Sequence, residues 1–301
     1  MEYRNSKIPE RINTSERHPL HDLLVLLAGV LAFTIIAVIV LSISADYMVR
    51  QIPLSVEQQW TADFFEDSDD PRVDAYLNQL AAEIAPMFQG NQAHQFHVHY
   101  SDTDVINAFA YLGGHITITR GLLLALNSEN ALAMVLAHEM AHVAERHPLR
   151  NLGRGLVIAA FLAAVTGIGN DWLGMNVVGE TSMLTTFKFS RDHEEVADEL
   201  ALKTLHARYG HRGGADDLFL ALMGGKAPQS KEPPEFFSTH PATARRLRAA
   251  RANAPDDAAN NLKPLPASLS QWLEQAPCAR LPSSRDKHAF SAGCSSEPAI
   301  R

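Results

Sequence analysis

A chain of 301 residues, 46% of them hydrophobic, is long enough for one catalytic domain with appendages or for two small domains. Its net charge of −8, with no Lys/Arg-rich run before residue 245, argues against nucleic acid as a partner. The only two cysteines, Cys278 and Cys294, lie near the C-terminus, which excludes a cysteine-ligated metal site or a disulfide-dense scaffold; they could close one disulfide in an oxidising compartment or stay as two thiols.

Residues 1–22 form a polar tail. The uncharged stretch Leu23–Ile43 follows, and a helix of that length is about 31 Å long, the thickness of a bilayer core. It is longer than the apolar part of a cleaved signal peptide, about 7–15 residues, so 23–43 reads as a retained transmembrane anchor. Arg4, Lys7, Arg11 and Arg17 precede it, and only Arg50 follows closely. The positive-inside rule then places the tail in the cytoplasm and the rest across the membrane, in the periplasm of a Gram-negative cell. The expected setting is the inner membrane, crossed once, with the lipid bilayer as a partner.

A connector, 44–70, ends in the acidic run Glu66, Asp67, Asp69 and Asp70. A domain over 71–251 begins with a helix whose apolar residues Val73, Leu77, Leu80 and Ile84 recur at helical spacing. Two alternating segments, 96–100 and 115–119, read as strands, with Gly113 and Gly114 at the entry to the second. Ser128 is a fitting N-cap for a helix that Pro148 stops near His147. The uncharged block 155–168 is short for a span and is expected to pack on the domain core or dip into the near leaflet. Helices are expected over 190–209, over 215–223 and after Pro241. In the last, Arg245, Arg246, Arg248 and Arg251 read mainly as a solvated face. The tail 252–301 looks irregular.

The chemistry concentrates in His138-Glu139-Met140-Ala141-His142. Histidines at i and i+4 share one helix face and can bind one metal ion. Glu139 then stands beside the water that the ion acidifies, as its base. A third ligand is needed. The run Ser190–Asp198 offers Glu194, with Asp198 four residues on, or Glu195, with Glu199 four residues on, and spacing alone keeps both; the bland reading is a solvated acidic face. A two-histidine, one-carboxylate iron site would lack a base next to its first histidine. His94, His97 and His99 have no evident acidic or cysteine partner and read as strand-surface residues.

Four stretches together resemble the HtpX-like and BepA-like membrane-associated zinc metallopeptidases, the gluzincins that include the CAAX prenyl protease: Asn107–Ala110 with Gly113–Leu122, the HEMAH segment with Val143 and His147, Ser190–Asp198, and Ser238–Pro241 with Arg246. The resemblance implies a mostly helical α+β fold, a gluzincin-type zinc protease domain with a small β-sheet after one transmembrane helix. It implies one Zn2+ per chain on His138, His142 and Glu194, with Asp198 behind them. His240 and Arg246 would sit at the open metal position and stabilise an oxyanion, and the histidine is implicated in occupying the water site at rest. Gly113, Gly114, His115, Ile116 and Thr117 look like an edge strand to which an extended polypeptide could add. This chain departs from its HtpX-like relatives in having one clear span, and from the BepA-like ones in having a short irregular tail after the domain. The expected function is zinc-dependent endopeptidase cleavage of misfolded or unassembled envelope or membrane proteins. The alternative is a membrane-anchored chaperone or adaptor that holds polypeptide without cutting it.

Overall fold

The computed structural model of the chain describes residues 19–49, 51–62, 65, 69–88, 95–166, 189–217, 219–220, 240, 244–251 and 261–275. Both cysteines, His94, the cations Arg4, Lys7, Arg11 and Arg17, and residues 218 and 221–223 lie outside these residues.

Helix α1 (Pro19–Val49) has 31 residues and extends past the uncharged block at both ends. At ~1.5 Å per residue it is about 46 Å long, more than a hydrocarbon core of about 30 Å, so its end near Asp46 projects beyond the core. Pro53 then opens α2 (Leu54–Thr61), and Asp70 opens α3 (Pro71–Ile84) by accepting from the Arg72 N–H at 2.9 Å, with proline at the first turn. The periodic residues Val73, Leu77, Leu80 and Ile84 form the buried face of α3, as their spacing requires. A 3-10 turn over Ala85–Phe88 follows.

Three strands make one sheet: β1 (His97–Ser101), β2 (Ala108–Ala110) and β3 (His115–Thr119). Their spatial order is β1-β3-β2, with β1 parallel and β2 antiparallel to β3. Register puts Val98 beside Ile116 and Tyr100 beside Ile118, and these four side chains form the buried face. His97, His99, His115 and Thr117 alternate onto the other face. The expectation that Gly113–Thr117 forms an edge strand is therefore corrected: β3 is central and hydrogen-bonded on both sides, so no further strand can pair with it. The two glycines serve the turn. Gly114 has φ of +89°, and a Cβ there would meet the Gln95 carbonyl oxygen at 2.1 Å.

Thr119 caps α4 (Arg120–Ala125), and α5 (Glu129–Ala144) crosses behind the sheet. Arg146, at φ of +60°, turns the chain into α6 (His147–Thr166), which packs along α1. α7 (Arg191–Tyr209) lies against α5, α8 (Ala244–Arg251) against α7, and α9 (Ala267–Gln275) against α3 and α4. α9 corrects the irregular reading of 252–301. Leu269 and Leu273 are buried in the domain core, and the Lys263 carbonyl accepts from the Glu129 N–H at 2.8 Å.

Candidate metal centre

α5 has no solvated face, and every residue from Glu129 to Val143 is buried. Apolar side chains on all sides, among them Leu132, Val135, Leu136, Met140 and Val143, demand a neighbour in every direction. Sheet, α3 and α7 supply those neighbours. Ser128 caps the helix, its Oγ accepting from the Ala131 N–H at 3.1 Å, and so sets the phase in which His138 and His142 point the same way. α7 is capped by Ser190, whose Oγ accepts from the His193 N–H at 3.2 Å, and ends at Gly210 in the left-handed region. Its buried stripe is Glu194, Ala197, Asp198, Ala201, Leu202 and Leu205. This phase sets the two candidate carboxylates apart. Glu194 turns inward to α5, whereas Glu195 is half exposed beside Arg245 and Glu199 pairs with Lys203 in solvent.

Four side chains converge. His138 Nε2 and His142 Nε2 are 3.1 Å apart. Glu194 reaches them at 3.6 Å and 3.4 Å. His240 Nδ1 stands 3.3 Å from His138 Nε2 and 3.1 Å from Glu194 Oε1. Donors held ~2.0–2.1 Å from one tetrahedral ion lie about 3.4 Å from each other, which is the spacing found. The other ring nitrogens are also held: His138 Nδ1 is 3.0 Å from Asp198 Oδ1, and His142 Nδ1 is 2.8 Å from His147 Nδ1. Such partners orient the rings so that Nε2 faces the cluster. Asp198 accepts from Arg246 Nε and Nη2 at 2.6 and 2.9 Å, and Arg246 Nη1 is 2.5 Å from Glu194 Oε2. Three buried carboxylates, Glu139, Glu194 and Asp198, face one buried guanidinium. With neutral imidazoles two negative charges remain, the charge a divalent cation balances. The donor set, its spacing and its charge all fit a metal ion.

Glu139 is fully buried, and neither carboxylate oxygen has a hydrogen-bond partner among the described residues. Burial raises its pKa, opposed by His240 and His138. Burial also acts against Glu194 as a carboxylate, yet His240, His138 and His142 hold it far below the ordinary range. Burial pushes His142 well down and takes His147 to about 3. His138 goes the other way: against burial, Asp198 and Glu194 raise it to about 9.

Arg246 is not on a solvated face: it is buried, and its guanidinium grips Asp198 and Glu194. Arg245 and Arg251 do sit outside, paired with Glu195 and Asp216. Two neighbours carried no motif of their own. Phe189 stacks on His142 with centroids 3.9 Å apart, and His193 stacks on His147 at 3.9 Å. A phenylalanine just before the Ser190 cap was the one readable sign of a residue packed at that helix entrance.

The model for peptidase family M48 matches residues 68–254. The chain is 29% identical over 239 residues to a beta-barrel assembly-enhancing protease of Yersinia pestis, covering 75% of this chain and 45% of that one. It is 30% identical over 149 residues to the mitochondrial metalloendopeptidase OMA1 of Schizosaccharomyces pombe, covering 47% of this chain and 42% of that one. It is 29% identical over 152 residues to the metalloprotease YcaL of Escherichia coli (strain K12), covering 48% and 57%. The chain thus spans about half the length of these curated relatives. With more than half of the chain matched by the family model, and the buried histidine and glutamate donors inside the matched region, the chain belongs to the metallopeptidases of family M48.

Proposed function

We propose that this chain is a membrane-anchored zinc endopeptidase in which His138, His142 and Glu194 hold one Zn2+ and Glu139 is the general base. The observation that carries the reading is the convergence of four donors, all within 4.8 Å of one another, beside a buried carboxylate that accepts no hydrogen bond among the described residues. Nitrogen and carboxylate donors at tetrahedral spacing suit zinc. A zinc ion bound there supplies a Lewis acid that polarises the scissile carbonyl and lowers the pKa of a water to about 7.

The side chains do the rest. Glu139 takes a proton from the attacking water and passes it to the leaving amine, a transfer helped by the raised pKa that burial gives it. His240, with Nε2 3.5 Å from Glu139, donates to the oxyanion as it forms. Arg246 acts one step back, holding Glu194 and Asp198 in place. Asp198 and His147 hold the rings of His138 and His142.

An extended substrate pairs with β2 rather than β3. The Thr119 N–H donates to the Asn107 carbonyl and the Tyr111 N–H to the His115 carbonyl, so residues 107, 109 and 111 bond to β3. The carbonyls of Ala108 and Ala110 then point away from the sheet, on the strand that packs on α5. Backbone pairing there accepts unfolded chains of varied sequence. Relatives named beta-barrel assembly-enhancing proteases support envelope proteins as the substrate class and the inner membrane as the setting, α1 supports membrane anchoring, and the cations before it support the domain on the periplasmic side.

Three variants test the site. Glu139→Gln keeps bound zinc and loses casein cleavage; cleavage at the parental rate removes Glu139 as the base. Glu194→Ala loses zinc; retention of zinc by that variant, with loss in Glu195→Ala, transfers the ligand role. An alkaline phosphatase fusion after residue 50 is active in a Gram-negative host, and an inactive fusion reverses the topology.

A further inference from the structure

α6 runs antiparallel to α1. Just before α6 begins, Arg146 Nη2 donates to the Ile52 carbonyl at 2.7 Å. Next, Leu149 and Leu152 pack with Val49, and a Cβ on Gly153 would stand 3.3 Å from Val49 and 3.8 Å from Ala45. Arg150 and Arg154 both engage Asp46. Each step forward along α6 is a step back along α1.

The pairing continues into the apolar span. Along α1, the shielded residues are Thr34, Ala37, Val38, Ser42, Ala45, Asp46 and Val49, and the positions between these fall on an exposed face. That spacing marks one side of a helix, most of its residues are small enough for close helix contact, and among the described elements α6 is the one packed on α1. The shielding stops at Thr34. Counting back from the contact with Gly153, Thr34 stands opposite Thr166, the last residue of α6. Thr34 is also near the middle of the Leu23–Ile43 block.

We infer that the second half of α6, Gly155–Thr166, is immersed in the leaflet nearer the catalytic domain, to roughly half the depth of the bilayer. A helix lying against the outer half of a membrane span has acyl chains as its other neighbour. The segment carries no charge. Arg150 and Arg154 stop at the level of Asp46, where head groups begin. From Ile43 to Thr34 is about 14 Å along the axis, half of a ~30 Å core. Leu156, 41% exposed, and Ala160 face away from α1, toward the acyl chains.

Two helices then seat the domain, and the height of the metal centre is fixed. His147 is the first residue of α6, with Nδ1 2.8 Å from His142 Nδ1. Arg154 lies about 10 Å further along the axis. Arg146 also pairs with the buried Glu57, which accepts from the Gly113 N–H at 3.2 Å. Resting on the endopeptidase reading, the substrate class is narrowed to polypeptide segments held within roughly 10–15 Å of the membrane surface.

The test uses the full chain in liposomes. In a background with Cys278→Ser and Cys294→Ser, an NBD fluorophore is placed by Leu156→Cys, Ala160→Cys or Ala164→Cys, with Val40→Cys, on the exposed face of α1, as the membrane control and Glu195→Cys as the water control. Lipid nitroxides at acyl carbons 5 and 12 and aqueous iodide are the quenchers. The expected result is carbon-5 quenching dominant at Leu156, carbon-12 at least equal at Ala164, and iodide protection at Ala160 within twofold of Val40. Iodide quenching like that of Glu195→Cys overturns the immersion. Carbon-5 dominance at every position overturns the depth, leaving a surface helix.

A second measurement reads the height. Lipid-tethered peptides carry one cleavable stretch either next to the anchor or beyond a proline-rich spacer of ~20 residues, about 60 Å long. The near peptide is cut at least fivefold faster, and equal rates overturn the height. If neither peptide is cut while the fluorescence depth holds, the endopeptidase reading fails instead.

Discussion

Asp198→Ala should separate what holds the metal from what binds it. Asp198 accepts two hydrogen bonds from the buried Arg246 and stands 3.0 Å from His138 Nδ1. Removing one partner of a buried pair typically costs ~3–5 kcal/mol, because the other charge is left desolvated; here Glu194 alone would face the guanidinium among the contacts described. Loss of the group that fixes a ligating imidazole typically weakens metal binding by ~10–100-fold, about 1.4–2.7 kcal/mol. The variant should therefore show a lower urea midpoint in its metal-free form and a zinc dissociation constant raised ~10–100-fold by chelator competition. Asp198→Asn, which keeps an acceptor but not the charge, falls between it and the parent and gives a reading even if the alanine form fails to fold. Zinc affinity within threefold of the parent in both variants would show that Asp198 does not orient His138.

Ending the chain after residue 254 removes Leu269 and Leu273 from the core and the Lys263 carbonyl and N–H from Glu129 and Asn130. Two buried leucines are worth ~1.5–3 kcal/mol each, so unfolding should need about 3–6 kcal/mol less by urea titration; an unchanged midpoint would make α9 incidental to the domain. His115 is lowered to about 4 by burial. The unfolded chain therefore takes up a proton near pH 6.5 that the folded one refuses, and stability falls as pH drops from about 6.5 to 4. His115→Gln should flatten that part of the stability profile, measured by urea midpoints across the range, and an unaltered slope removes His115 from the account.

What the sequence showed and what it hid have the same physical source, the range over which a signal acts. The HEMAH helix is announced by a cap, a period and a motif that all lie within one segment, and α3 by four apolar residues in phase. Sheet order is different. β1 pairs with β3 and skips β2, and a three-residue strand such as Ala108–Ala110 leaves almost no alternation to read. So the segment with the strongest alternation, 115–119, carries no local sign that it is the centre, and the edge position that the resemblance implies for it belongs to β2. Arg246 is not singled out by its own helix; only the family resemblance points to it. Among four arginines, only phase relative to the buried Ala250, one turn on, separates the one that turns inward. α9 sits in a stretch rich in Pro, Asn and Ser, where two in-phase leucines, Leu269 and Leu273, were the only sign of a buried face.

The charge of the cluster leads to one more measurable quantity. In the metal-free protein, Glu194 is held ionised and His142 is held neutral, so both already have the form a metal ligand needs. His138 does not. Burial opposes its charge, but Asp198 and Glu194 raise it to about 9, so it carries a proton at pH 7. That proton supplies part of the positive charge that the carboxylates demand, and the metal must displace it to use the lone pair on Nε2. Zinc binding at pH 7 should then release about one proton per ion from His138, besides the ~0.5 from a bound water whose pKa is lowered to about 7. Calorimetric titration in pairs of buffers with different ionisation enthalpies measures the total directly. A total of ~0.5 or less at pH 7 would mean that all three ligands are already unprotonated, and that the carboxylates around His138 do not control its charge.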